Sequence, residues 1–215
     1  MARNIGILGG TFNPIHFGHL SIAEEIAKNC SLDEVRFIPS ANPPHKASPQ
    51  VSAEHRAQMV KLAIQNHPKF ILDDCELKRE GASYTIDTLI SIRKNLGAQV
   101  GLFLIMGSDA FANFDTWHRW EEILDYCHIL LVERPNHKQS LGDFSEQIKH
   151  FYLTHHKNNP HDFQNTPNGF IITQTITPLA ISSTDIRERL KTNLTVRDLL
   201  PQQVFAYIQE NRLYR

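Results

Sequence analysis

The stretch Gly9-Gly10-Thr11-Phe12-Asn13-Pro14-Ile15-His16-Phe17-Gly18-His19 organises the reading of this chain. An apolar run, Ile5-Gly6-Ile7-Leu8, leads into it. Beyond it, Leu20, Ile22, Ala23, Ile26 and Ala27 recur at helical spacing. The order predicts strand, glycine turn, helix. Two glycines in such a turn let backbone N–H groups come close to an oxyanion. The N-terminus of the following helix adds partial positive charge there. His16 and His19 stand three apart, so they share one helical face beside that anion site.

Outward from this turn, short apolar runs alternate with helical patterns. Strands are expected at Asn4–Leu8, Glu34–Ile38, Phe70–Leu72, Val100–Met106, His128–Glu133 and Gly169–Gln174. Helices are expected at Gly18–Asn29, Ala53–Asn66, Thr85–Asn95, Trp117–Asp125, Asp185–Lys191 and Gln202–Asn211. Such alternation predicts an α/β fold: a Rossmann-like, doubly wound, mostly parallel sheet with helices on both faces. Val100–Met106 is almost continuously apolar, as a strand buried on both sides would be. Sheets of this kind bind ligands at the carboxyl ends of their strands. The glycine turn and the segment Met106-Gly107-Ser108-Asp109 both fall at that edge.

Composition narrows the class. With 215 residues the chain is read as one domain, 1–215. Residues 135–168 are polar and poorly periodic, and are read as an inserted helical excursion or a mobile segment within it. Their histidines, His150, His155, His156 and His161, are read as solvated surface, so no metal site is expected. The formal net charge of -1 offers no global basic field for nucleic acid or an anionic membrane. An anionic ligand must therefore be held by local groups. Cys30, Cys75 and Cys127 are scattered, as expected for free thiols in a reducing compartment. The first residues lead directly into a strand, and no apolar run is long enough to span a bilayer. A cytoplasmic location is the expectation.

A second motif is Ile181-Ser182-Ser183-Thr184-Asp185-Ile186-Arg187. Ser182 and Asp185 have capping-box spacing at a helix start. Hydroxyls and N–H groups there can hold phosphate oxygens, and the Arg187 guanidinium can bind them bidentately. The first motif resembles the H-x-G-H nucleotidyltransferases, with their pattern G-G-[ST]-F-[DN]-P-x-H-x-G-H. With the second, the chain resembles the nicotinate and nicotinamide mononucleotide adenylyltransferases. Further stretches look like that family's: Pro39–Lys46, Ser83-Tyr84-Thr85-Ile86-Asp87-Thr88-Leu89, Gly107–Phe111, Phe114–His118, Val132-Glu133-Arg134-Pro135 and the C-terminal Leu213-Tyr214-Arg215. At Asn13 relatives often carry Asp. Asn still turns well, but a role there that needs charge is put in doubt.

The resemblance implies transfer of the AMP part of ATP to nicotinate mononucleotide, giving deamido-NAD and pyrophosphate. It implies that Gly9, Gly10, Thr11 and Phe12, together with His16 and His19, meet the α-phosphate. Ser183, Thr184 and Arg187 would hold the β- and γ-phosphates, and Gly107 and Asp109 the adenosine. The pyridine nucleotide would meet Lys46, Tyr84, Thr85, Trp117, His118 and Arg134. Mg²⁺ would come with ATP, without a dedicated protein cage. Alternatives are a nicotinamide mononucleotide or dual-specificity adenylyltransferase and, in a different class, a non-catalytic nucleotide sensor on the same fold. Pantetheine-phosphate adenylyltransferases and glycerol-phosphate cytidylyltransferases share only the first motif, and the chain has no K-M-S-K-S-like string of class I aminoacyl-tRNA synthetases. A homo-oligomer is left open.

Overall fold

A computed structural model describes residues 3–42, 49–133, 141–157, 163, 166–177 and 179–215. Strands form at Asn4–Gly10 (β1), Glu34–Pro39 (β2), Phe70–Leu72 (β3), Gly101–Gly107 (β4), His128–Glu133 (β5) and Ile171–Thr175 (β6). Helices form at Phe17–Asn29 (α1), Ala53–Ile64 (α2), Thr85–Leu96 (α3), Ser108–Phe111 (α4), Glu146–His155 (α5), Ser183–Lys191 (α6) and Gln202–Glu210 (α7). The six strands make one sheet in the order β3-β2-β1-β4-β5-β6. Every neighbouring pair is parallel. This is a Rossmann-like, doubly wound α/β fold. The strand order reverses between β1 and β4, and that switch point is where such sheets leave a crevice for ligands.

Side-chain alternation explains the long apolar runs. Phe103 and Ile105 of β4 enter the core shared with α1, α2, α6 and α7. Leu102, Leu104 and Met106 enter the core on the other face, with α3 and α5. β5 splits the same way, with Leu130 and Val132 on the first face and Ile129 and Leu131 on the second. A strand wrapped on both sides has no polar face to show. Each such fully buried side chain contributes roughly 1.5–3 kcal/mol relative to exposure.

Local signals set several helix ends. Ser52 caps α2, its Oγ accepting from the His55 N–H at 3.4 Å. Ser182 caps α6 by accepting from the Asp185 N–H at 3.1 Å. Gly97 ends α3 at φ +87, where an L side chain would be strained.

The expected helix over Trp117–Asp125 does not form. Two 3₁₀ turns replace it, at Phe114–Thr116 and Trp120–Asp125. Thr116 Oγ1 donates to the Asn113 carbonyl at 2.7 Å, a local bond that competes with helix, and Arg119 takes a left-handed φ of 52° between the turns. α4 lies where no helix was expected, whereas α5 falls within 135–168, where an inserted helical excursion was one of two readings. α5 buries Ile148 and Phe151 in the second core. Of the described histidines read as surface, only His150 is exposed. His155 packs on Phe151, and His156 stacks on Tyr152 at 4.5 Å and meets Thr173 Oγ1 at 3.3 Å. His161 lies outside the described residues.

Candidate active site

The glycine turn closes β1 at the switch point. Gly10 is explained by space: a Cβ there would lie 3.1 Å from the Phe12 ring. Phe12 takes a φ of 45° and turns its ring inward, where it is 2% exposed. The ring packs edge-on against His19 at 5.1 Å and against Phe37 at 5.9 Å. The Phe12 side chain therefore braces the turn from below, and only its backbone can face a ligand. At Gly9 a Cβ would meet nothing within 4 Å, because this position opens into the cleft.

His16 is the N-cap of α1, and its backbone N–H donates to His19 Nδ1 at 3.2 Å. Accepting at Nδ1 leaves the neutral His19 ring with its proton on Nε2, which fixes that atom as a donor. The two rings lie 3.8 Å apart, centre to centre. Gly18 makes room for this pair: a Cβ there would fall 2.9 Å from His16 Nδ1.

The start of α6 grips the same turn. Ser183 Oγ donates to the Pro14 carbonyl at 2.9 Å. Arg187 Nη1 donates to the Asn13 carbonyl at 2.8 Å, and Nη2 to Thr184 Oγ1 at 3.2 Å. These bonds use two of the five guanidinium N–H donors. The two sequence motifs, some 170 residues apart, thus form one unit. A small hollow of about 230 Å³ lies between His16, His19, Ile176, Ile181 and Ser183.

Beside it opens a cleft of about 620 Å³, large enough for a nucleotide-sized ligand. Gly9, Gly10 and Thr11 border it at the end of β1, and Gly107 and Asp109 where β4 passes into α4. Tyr84, Thr85, Trp117 and His118 line it as well. Tyr84 and His118 pack ring on ring at 4.4 Å, and Trp117 rests on buried Phe114 at 5.4 Å. Ser83 ties this wall to the loop after β2: its Oγ accepts from the backbone N–H groups of Ala41 at 3.2 Å and Asn42 at 3.1 Å. It does not cap α3, whose N-cap is Tyr84. Lys46 and Arg134 lie outside the described residues.

Two buried charged residues at the site escaped the sequence reading. Glu76 reaches the cleft wall, where its Oε1 accepts from Thr88 Oγ1 at 2.8 Å. Burial pushes its carboxyl pKa up, against the pull of Thr88, Ser83 and Arg79. Arg56 lies 1% exposed behind the turn and donates to the Thr11 carbonyl at 2.7 Å. Neither had a local signal, since a single Glu or Arg in a mixed segment reads as surface. Among the described residues no three His, Cys, Asp or Glu side chains converge as a metal cage. Nor is any helix among them long and apolar enough to cross a membrane.

Comparison with known proteins shows the family and the fold. The cytidylyltransferase-like family model matches residues 7–189. A probable nicotinate-nucleotide adenylyltransferase of Pseudomonas fluorescens is 46% identical over 215 residues, covering 100% of this chain and 99% of the relative. One from Dechloromonas aromatica is 40% identical with the same coverage. Among solved structures, Plasmodium falciparum nicotinic acid mononucleotide adenylyltransferase complexed with NaAD superposes with a TM-score of 0.73. It is 22% identical, and the match covers 99% of this chain and 97% of that one, a likeness of fold. From its sequence relatives, the chain belongs to the cytidylyltransferase-like family and stands within it among the nicotinate-nucleotide adenylyltransferases.

Proposed function

We propose that this chain transfers the adenylyl group of ATP to nicotinate mononucleotide, releasing pyrophosphate and forming deamido-NAD in NAD biosynthesis. One observation carries the reading. The His16–His19 turn and the Ser183–Arg187 helix start are joined through Asn13 and Pro14, beside a cleft lined by aromatic rings.

The acceptor is a phosphate, already ionised at neutral pH, so no general base is needed. One of its oxygens attacks the α-phosphorus of ATP. The new P–O bond forms as the bond to the β-phosphate bridging oxygen breaks, and pyrophosphate leaves with that electron pair. Catalysis reduces to alignment and charge neutralisation. His19 Nε2–H and His16 face the α-phosphate with the N–H groups of Gly9, Gly10, Thr11 and Phe12. Ser183, Thr184 and Arg187 hold the leaving pyrophosphate. Gly107 and Asp109 take the adenosine, and Lys46 and Arg134 the mononucleotide. Mg²⁺ accompanying ATP would supply charge neutralisation at the phosphates, and no residue of the chain is assigned to hold it.

Trp117 and Tyr84 offer flat faces to the pyridine ring. Thr85 opens α3, whose first-turn N–H groups lack intrahelical acceptors and favour an anion. With the backbone N–H of His118 they suit a carboxylate, whereas a carboxamide would set its own donor against donors. We read residues 1–215 as one nucleotidyltransferase domain, working in the cytoplasm.

The test is pyrophosphate release from ATP with each mononucleotide as acceptor. A kcat/KM far higher for nicotinate than for nicotinamide mononucleotide is expected. Comparable values would replace the reading with a dual-specificity enzyme. No release with either would leave a nucleotide-binding protein without catalysis.

A further inference from the structure

Arg56 of α2 is 1% exposed, and its guanidinium reaches three separate places in the chain. Nη1 donates to the Thr11 carbonyl at 2.7 Å, Nη2 to the Ala41 carbonyl at 3.4 Å and Nε to the Val51 carbonyl at 3.3 Å. Thr11 belongs to the phosphate turn. Ala41 and Val51 flank the stretch that carries Lys46 in the sequence. Ala41 is also the residue whose N–H is held by Ser83, next to Tyr84 and Thr85. One planar fork therefore ties the ATP side of the cleft to its acceptor side.

All three acceptors are neutral carbonyls. Arg36, by contrast, sits between the carboxylates of Glu34 and Asp73. A buried cation without a bonded carboxylate is costly to hold, and burial pulls the Arg56 pKa down, opposed by Tyr214 and Glu54. A clip for loops could be built from a neutral amide at lower cost. What a neutral group would lack is positive charge directly behind a turn that meets polyphosphate.

We propose that Arg56 is a positioning residue for adenylyl transfer: its guanidinium holds the phosphate turn at Thr11 and the acceptor loop at Ala41 and Val51 in the separation that aligns the two substrates. The proposal rests on the adenylyltransferase reading. Arg56 touches no substrate in this role and acts through the carbonyls it holds. A lysine keeps the charge but cannot reach three carbonyls with a rigid fork.

Arg93 supplies the internal control. It too is a partly buried arginine bonded to carbonyls, those of Tyr126, Val100 and Pro167. These precede β5, β4 and β6, at the sheet edge away from the cleft. Arg93→Lys therefore measures what losing such a fork does to stability alone.

The experiment begins with wild-type turnover of ATP and nicotinate mononucleotide. Failure there refutes the functional reading and says nothing against Arg56. Given wild-type turnover, Arg56→Lys and Arg93→Lys are compared by Tm, by Kd for each substrate alone, and by kcat. We expect both to lower Tm, but only Arg56→Lys to lower kcat, by ~10²-fold, since misplacement by about an ångström costs that much. Its Kd for each single substrate should stay near wild type. Methylguanidinium should restore part of the turnover of Arg56→Ala. Wild-type kcat in folded Arg56→Lys would overturn the proposal. So would an equal kcat loss in Arg93→Lys at equal Tm.

Discussion

The Tyr214 hydroxyl donates to Asn13 Oδ1 at 2.7 Å, joining the last turn of the chain to its glycine turn. The contact asks of position 13 only an oxygen acceptor, so an Asp should serve there as Asn13 does. Either side chain offers an oxygen acceptor, and the phenol needs no more than that. The Asn13 carbonyl meanwhile receives Arg187, so one residue joins the C-terminus, α6 and the turn. Tyr214 is 5% exposed, and losing its hydroxyl removes a bond from a closed site. Tyr214→Phe should cost roughly 1 kcal/mol. For a chain of this size that lowers Tm by about 2–4 °C. ATP affinity should weaken with it. Asn13→Asp should keep the melting temperature. Calorimetry on both variants is the check, and an unchanged Tm in Tyr214→Phe would show that the bond does not brace the turn.

The histidine pair yields a case where stability and activity separate. Gly18→Ala puts a Cβ 2.9 Å from His16 Nδ1, so the His16 ring must move. Yet Ala favours a helix over Gly by about 1 kcal/mol. The variant should melt at or above the wild-type temperature and turn over far more slowly. His19→Ala should slow turnover by roughly 10²–10³, the usual loss when an oxyanion donor is removed. Wild-type kcat in either folded variant would take the pair out of the reaction.

Arg187→Lys tests the fork in the second motif. A lysine can reach the Asn13 carbonyl or Thr184 but cannot do both while keeping donors for phosphate. The KM for ATP should rise, with that for nicotinate mononucleotide nearly unchanged. Steady-state kinetics with each substrate varied in turn decides it. Equal effects on both constants would place Arg187 outside the ATP subsite.

Much of this arrangement was legible because it is local. Gly9–His19 encodes strand, turn and helix in consecutive residues, and continuous apolar runs mark the strands of a doubly covered sheet. Ser182 announces the start of α6 by its own side chain. What stayed hidden depends on partners far away in sequence. Arg56 reads as a surface charge until Thr11, Ala41 and Val51 close around it. Glu76 is fixed by Thr88, and α5 is a weakly patterned polar helix with only Ile148 and Phe151 buried. Trp117–Asp125 misled because its apolar spacing is helical while Thr116 and Arg119 break the backbone.

Acceptor preference should survive loss of the stacking ring. Trp117 lines the cleft with an apolar face, and under the proposed function both mononucleotides would use it equally. On the proposed reading the carboxylate meets N–H groups near Thr85 and His118, which Trp117 does not supply. Trp117→Ala should therefore raise KM for both mononucleotides and leave their kcat/KM ratio nearly intact. A ratio that collapses toward one would mean that the indole itself sets the choice.

His128 makes the fold sensitive to acid at a place remote from the cleft. It is 0% exposed and packed between the rings of Phe103 and Phe170. Its Nδ1 accepts from the Phe170 N–H at 3.2 Å and its Nε2 meets the Thr166 carbonyl at 2.9 Å, so one defined neutral tautomer fills the site. Burial pushes its pKa down from 6.5 to about 4, with the Thr166 bond opposing and Arg93 assisting. A depressed histidine pKa means that the unfolded chain binds this proton more readily than the folded one. The stability it confers is complete above pH 6.5, falls as pH drops toward 4, and falls no further below. Across that window the loss is roughly 3 kcal/mol, at 1.36 kcal/mol per unit. His128→Gln keeps an acceptor and a donor but does not titrate. Thermal melts from pH 7.5 to 4.5 should show a shallower acid slope for His128→Gln than for the wild type. The difference between the two curves removes the contribution of carboxylates common to both. Parallel curves would mean that His128 does not carry the acid sensitivity.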